Sequence, residues 1–238
     1  MKIVKNKIIN LSLIIILSSL LFSACGTKNT TVQSPSNGQS STNTTELKLS
    51  DSEKPYISLI PRDDGHQLTL KIDGIPTSIT QIDYELLYTA TDSGLEIEKG
   101  VGDTIKEISK TISRDLLLGT ASCTNGCKYS YDKGVIGGTL SLTFTTADNQ
   151  SATYETQFVL KNSSDIKKDG GLSLSTENLV IKATTSTKND YFVLIKNFKP
   201  EYSVFSNGSG NGKVSTITPS TIAKGNLSLI TGDYSINQ

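Results

Sequence analysis

From residue 54 onward the chain alternates apolar and polar positions. In "HQLTLKIDGI", residues 66–75, Leu68, Leu70 and Ile72 fall on one side of an extended strand, and Gln67, Thr69, Lys71 and Asp73 on the other. "TQIDYELLYT", 80–89, sets Ile82, Tyr84, Leu86 and Tyr88 against Asp83, Glu85 and Leu87. "TLSLTFTT", 139–146, separates Leu140, Leu142 and Phe144 from a row of Thr and Ser, and "ATYETQFVLK", 152–161, repeats the pattern with Tyr154, Phe158 and Leu160. A period of two sends successive side chains to opposite faces, so each run predicts a strand buried on one face. "ADNQ" between the last two runs is a hairpin signal, as are "DDG" at 63–65 and "NG" at 125–126.

One segment reads two ways. In "DTIKEISKTISRDLLLG", 103–119, Ile105, Ile108, Ile112 and Leu116 have helical spacing, and Thr104 with Glu107 fits a capping box. The abundance of Thr, Ser and Ile and the closing run Leu116-Leu117-Leu118-Gly119 favour strand or irregular structure.

Short strands with turns about every ten residues predict an all-β fold, an antiparallel β-sandwich over 51–162. The architecture resembles immunoglobulin and fibronectin type III domains in class only, because no Trp is present to supply their packed core residue. "KNSSDIKKDGG" predicts a linker at 163–171. Five further strand candidates follow, in "LSLSTENLVIKATT", "DYFVLIKNF", "EYSVFS", "GKVSTIT" and "GNLSLITGDYSI", with "SNGSGNGK" as a flexible turn. They predict a smaller β-rich domain over 172–238. That region is small for an independent core, so it is expected to pack on the first or to be completed by further chain.

The first 50 residues follow a different pattern. Lys2, Lys5 and Lys7 precede an Ile/Leu-rich run from Ile8 to Phe22, interrupted by Asn10, Ser12, Ser18 and Ser19. The run is too short for the ~20 apolar residues of a spanning helix and fits a signal-peptide core. Phe22-Ser23-Ala24-Cys25 then resembles the lipobox of bacterial lipoproteins, with Phe22 where Leu is usual. The resemblance covers only about the first 26 residues. It implies cleavage after residue 24, a diacylglyceryl group on the Cys25 thiol, and a protein held on the extracytoplasmic side of the cell membrane. An ordinary secretory signal, or an uncleaved anchor, is the plainer alternative. Residues 25–50, beginning "CGTKNTTVQ", hold too little apolar surface to offset chain entropy and predict a disordered tether.

Composition narrows the function. The chain has 23 basic and 23 acidic residues; residues 1–24 contain three Lys and no acid, so the remainder has 20 against 23, a net of about −3. With no basic block, nucleic-acid binding is set aside.

The chain offers few groups arranged for chemistry. His66 is the only histidine and follows "RDDG", so it reads as a solvated turn residue; no Gly-x-Ser-x-Gly elbow exists for a triad. No set of Cys and His ligands for zinc is present, and Asp63-Asp64-Gly65 lacks the alternating oxygens of a calcium loop. Glu96 and Glu98 share a strand face and read as surface charge. Gly208, Gly210 and Gly212 lack the strand, helix and Gly-Lys-Ser/Thr of a phosphate loop. No metal or cofactor is expected.

"SCTNGCKYSY" is the exception. Cys123 and Cys127 flank Thr124-Asn125-Gly126, and export implies an oxidising environment. In a three-residue loop the two cysteines close the hairpin opposite each other and a disulfide is expected; with Asn125-Gly126 as a two-residue turn they are diagonal and the bond is strained. A reduced pair and half of a metal site compete with the disulfide. Tyr129 and Tyr131 share a face of the outgoing strand. They either face the core, the commoner outcome, or stand exposed where tyrosines stack on sugars or anchor protein partners. The expectation is a non-enzymatic, lipid-anchored surface protein that binds or adheres to a protein or glycan. The alternative is a structural or assembly component of the cell envelope; an envelope hydrolase is disfavoured by the missing constellation.

Overall fold

Backbone pairing follows the alternation. The computed structural model describes residues 45–174, 179–184, 190–199, 202–206 and 213–218, with the backbone alone for 179–184 and 213–218. Cys25, the signal segment, the tether through residue 44, the glycines of "SNGSGNGK" and the final strand candidate lie outside the described residues. The fold is all-β and sandwich-like, with sheets that do not close into a barrel.

The larger sheet is ordered β14-β13-β10-β9-β4-β5, and β1 pairs beside β10. Its strands are β1 (Thr45–Glu46), β4 (Ile79–Asp92), β5 (Leu95–Ile105), β9 (Gly137–Thr146), β10 (Gln150–Asn162), β13 (Tyr191–Lys196) and β14 (Tyr202–Ser206). A second sheet, β2-β3-β6, consists of β2 (Tyr56–Pro61), β3 (Gln67–Asp73) and β6 (Thr111–Leu117). Every pairing among these strands is antiparallel except that of β1 with β10. The ambiguous segment resolves as the end of β5, a loop and β6, in line with its β-branched composition.

The core lies between the two sheets. Ile57, Leu59, Leu68, Leu70 and Ile72 of the smaller sheet join Ile82, Leu86, Leu142, Phe144 and Phe158 of the larger in one buried cluster. Each was the apolar half of an alternating run or lies in the first strand beside one. Asn197 ties the layers together at one end. Its Oδ1 accepts from Ile57 N at 3.0 Å, and its Nδ2 donates to Ile57 O at 2.8 Å and Ser203 Oγ at 3.0 Å. A buried side chain thus satisfies strand-end backbone groups that would otherwise be costly to bury.

Two expected boundaries are corrected. The tether does not run to residue 50: Thr45 and Glu46 pair with Gln150 and Ser151, and Leu47 N donates to Ser151 O at 2.7 Å. Leu47 is half-buried and packs against the core, which supplies the apolar contact a disordered segment lacks. The linker at 163–171 is a helix, α1 (Ser163–Asp169). Asn162 caps it by accepting from Ser164 N and Asp165 N at 2.8 and 2.9 Å, and Gly170 ends it in the left-handed conformation. Beyond it, β13 pairs with β10 and β14 with β13, extending the larger sheet, and Val193, Ile195 and Phe205 share the first region's core. The described residues all fall within one compact unit. A third sheet, β11-β12-β15, comprises β11 (Leu172–Leu174), β12 (Leu179–Thr184) and β15 (Lys213–Thr218).

Candidate functional site

Two strands stand apart from both layers. Among the described residues β7 (Gly119–Cys123) and β8 (Cys127–Tyr131) pair only with each other, and apart from the half-buried Gly119 every residue in them is exposed. Cys123 lies opposite Cys127 with Cα atoms 4.1 Å apart, and the two are joined as a disulfide. The loop between them is the three-residue form, and Gly126 takes the left-handed conformation at φ 89° that this form needs.

The register divides the hairpin into two faces. Tyr129 pairs with Ala121 and Tyr131 with Gly119, while Ser130 pairs with Thr120 and Lys128 with Ser122. Both tyrosines therefore sit on the face of the disulfide, across from partners too small to cover them. Gly119 is required there: a Cβ would come within 2.3 Å of Ser130 O, and its φ is 151°. Tyr129 is 54% exposed and Tyr131 38%, so the core-facing reading of this pair does not hold. Among the described residues the hairpin joins neither of the two packed sheets.

His66 extends the row. Its ring stacks on Tyr131 with centroids 4.4 Å apart and planes 3° from parallel, and Tyr129 continues at 6.0 Å and 9°. The Arg62 guanidinium lies 5.5 Å from the Tyr131 ring centre. The turn between β2 and β3 holds both residues in place. Arg62 Nε and Nη2 donate to the two oxygens of Asp64 at 2.8 and 2.7 Å, and Nη1 donates to Gln67 at 2.9 Å. His66 N donates to Asp64 Oδ1 at 3.0 Å. The Arg62 pairing holds the Asp64 carboxyl below its ordinary range against the opposing effect of burial, and the same pairing raises Arg62 further.

The base of the hairpin is fixed on both sides. Leu118 N donates to His66 O at 2.9 Å, and Asp132 N donates to Leu118 O at 3.0 Å. These bonds continue the β3–β6 ladder into the hairpin, which places His66 beside Tyr131. Asp132 accepts from Tyr88 Oη at 2.8 Å and from Lys99 Nζ, anchoring the hairpin to β4 and β5. Burial, then the Asp132 carboxylate, pushes the Tyr88 hydroxyl well up, so it remains a donor.

The arrangement is an exposed aromatic row on a stiff projection. Tyr129, Tyr131, Cys123 and Cys127 were candidates in the sequence and are brought together. His66, read as a solvated turn residue, proves half-buried in the row, and Arg62, Asp132 and Lys99 carried no sequence signal of their own. Glu96 and Glu98 stay on the surface of β5. Among the described residues no group of three or more His, Cys, Asp or Glu is placed to hold a metal ion. No family model matches the chain, and neither a curated protein nor a solved structure matches it.

Proposed function

We propose that this chain is a lipid-anchored surface protein whose β-sandwich presents the β7–β8 hairpin for non-enzymatic binding or adhesion to a protein or glycan. One observation carries the reading. A hairpin with nearly every residue exposed is nevertheless held by a disulfide at its tip, an aromatic row on one face and the Asp132 contacts at its base. Fixing an element that adds nothing to the core lowers the ordering cost at a contact surface. Tyr129 and Tyr131 offer rigid amphipathic area, and the Ser, Thr and Asn around them offer adaptable hydrogen bonds. Anchoring through Cys25 rests on the lipobox-like segment. Each buried methylene contributes ~0.8 kcal/mol, and two acyl chains hold where one binds marginally.

The test has two arms. In a bacterial host given labelled palmitate, the wild type should take up label and Cys25→Ser should not; equal labelling rejects the anchor. The full chain, displayed on cells, is then probed with a glycan panel and envelope proteins. The Tyr129→Ala/Tyr131→Ala variant should lose binding at least about tenfold, the size expected of aromatic hot spots. Binding indifferent to both tyrosines rejects the hairpin as the contact surface, and turnover of any panel member rejects a non-enzymatic role. The alternative, a structural or assembly component of the envelope, is favoured by a separate feature, the open edge of β5.

A further inference from the structure

Among the described residues β5 pairs as a strand only with β4, which leaves its other side as the edge of the larger sheet. It runs for 11 residues, contains no proline, and keeps an unbroken register from Ile82↔Ile105 to Asp92↔Leu95. Edges are normally blunted by shortness, proline, a bulge or charged side chains, because their free N–H and C=O groups template another strand; of these β5 has the charges alone, Glu96, Glu98, Lys99 and Asp103, which a partner strand has to match. Leu95 is 70% exposed and Ile97 38%, so apolar side chains accompany the open backbone.

The register tells which backbone groups are free. The turn joining β4 to β5 is Ser93-Gly94, both at positive φ (50° and 83°), a two-residue turn that closes on the hydrogen-bonded pair Asp92 and Leu95. Bonded and non-bonded pairs alternate along an antiparallel ladder. Odd-numbered residues of β5 therefore spend their backbone groups on β4, and Glu96, Glu98, Gly100, Gly102 and Thr104 direct theirs outward. Consistent with this, Thr104 N is occupied by the Asp103 side chain, Oδ1 at 2.7 Å, and by no strand.

We propose that a second copy of this chain pairs with that edge, β5 running antiparallel to the partner's β5 about a two-fold axis at Val101. This axis sets Lys99 opposite the partner's Asp103, Ile97 opposite the partner's Ile105, Glu98 opposite the partner's Thr104 and Gly100 opposite the partner's Gly102. An isologous interface repeats each pair by symmetry. Directly opposed unlike charges and apolar pairs stabilise a ladder, whereas like charges destabilise it. An axis at Lys99 opposes two lysines, an axis at Asp103 opposes two acids, and an axis at Gly100 sets Ile97 against the partner's Asp103. Only the Val101 axis opposes the lysine to the aspartate. On pairing, Thr104 N exchanges its contact with Asp103 for a partner carbonyl, and the released carboxylate meets an ammonium that already rests on Asp132. The aromatic row of the hairpin takes no part, so this inference stands apart from the binding reading.

Cysteine cross-linking of the full chain in cells tests the register. Val101 meets itself across the axis in a non-hydrogen-bonded pair, where Cα atoms lie about 4.5 Å apart, within the range a disulfide spans. Val101→Cys should give a disulfide-linked dimer that the parent chain does not give. Thr104→Cys, which faces the partner's Glu98, should give none. Adding Glu98→Pro to Val101→Cys removes an outward N–H at no loss to β4, and adding Asp103→Lys opposes two cations; each should lower the dimer yield several-fold. Asp103 is exposed, so that substitution leaves the monomer folded and decides the matter even where the proline variant does not fold. A Val101→Cys chain that stays monomeric, a Thr104→Cys chain that links equally well, or a yield indifferent to Asp103→Lys overturns the proposal.

Discussion

The hairpins β9–β10 and β7–β8 follow the same local recipe and end in opposite environments. Each is a pair of alternating strands around a short polar turn. In β9–β10 the apolar face, with Leu140, Leu142, Phe144, Tyr154 and Phe158, is buried against the second sheet. In β7–β8 the corresponding face carries Tyr129 and Tyr131 opposite Ala121 and Gly119; among the described residues only the His66 ring and the Arg62 guanidinium lie against it, at Tyr131, and both tyrosines stay exposed. Alternation specifies that a strand has two unlike faces. It does not specify whether the apolar face finds a cover. The two hairpins also owe their order to different forces, burial in one case and covalent and polar contacts in the other.

Breaking the buried hairpin should have the largest effect. Phe144 is fully buried and stacks 5.7 Å from Phe198. Phe144→Ala should cost about 3–5 kcal/mol in urea unfolding, through lost burial and the cavity left behind. A loss below about 1 kcal/mol would mean that the sheets do not pack as described.

Asn197→Leu comes next. It keeps the volume but strands the amide and carbonyl of Ile57, at about 1–3 kcal/mol for a buried polar group left unpaired. Asn197→Asp, which retains the acceptor alone, should differ from it. Equal midpoints for wild type and leucine variant would show that these bonds contribute nothing net.

Removing the disulfide sharpens the contrast. Closing so short a loop contributes at most about 2 kcal/mol by chain entropy. Cys123→Ser/Cys127→Ser should therefore move the unfolding midpoint little, yet hydrogen exchange at residues 121–129 should rise while the amides of β9 stay protected. Unchanged exchange in the hairpin would rule the disulfide out as its stiffening device.

The smallest effect belongs to the Arg62–Asp64 pair, whose side chains are 33% and 41% exposed. Such a pair contributes under about 1 kcal/mol. Because the Asp64 carboxyl titrates lower in the folded state, its stabilisation is complete above the ordinary carboxylate value of about 3.9 and fades as the pH falls through the lower folded value. The stability difference between wild type and Asp64→Asn should thus be greatest at neutral pH and vanish in strong acid. A difference that grows on acidification would contradict the assigned sign.

Much of the sandwich was legible because period-two alternation is a local property. Leu68, Leu70, Ile72, Ile82 and Leu142 are buried as their runs require, and the turns at 63–65, 125–126 and 147–149 fall between paired strands. Other local signals are present as well. Asn162, Asp165 and Gly170 are the start and stop signals of α1, and "DSG" ahead of "LEIE" marks the turn into β5. The aromatic row was half legible. Tyr129 and Tyr131 declare a shared face, but His66 joins them from 65 residues away through bonds made by Leu118, and no local pattern encodes that meeting.

The sequence by itself determined that the chain is mostly extended, which side of each alternating run is apolar, and that the two cysteines flank a hairpin turn, because these depend on dihedral preferences and spacing over a few residues. Tertiary structure alone decided that β13 and β14 join the sheet begun by β4, that the tyrosines stay exposed beside His66, and that β5 lies at the edge of the sheet among the described residues. Those outcomes depend on which distant strand competes best for each edge and face. That competition is settled by the summed burial and hydrogen bonding of the whole chain, which no short window of sequence contains.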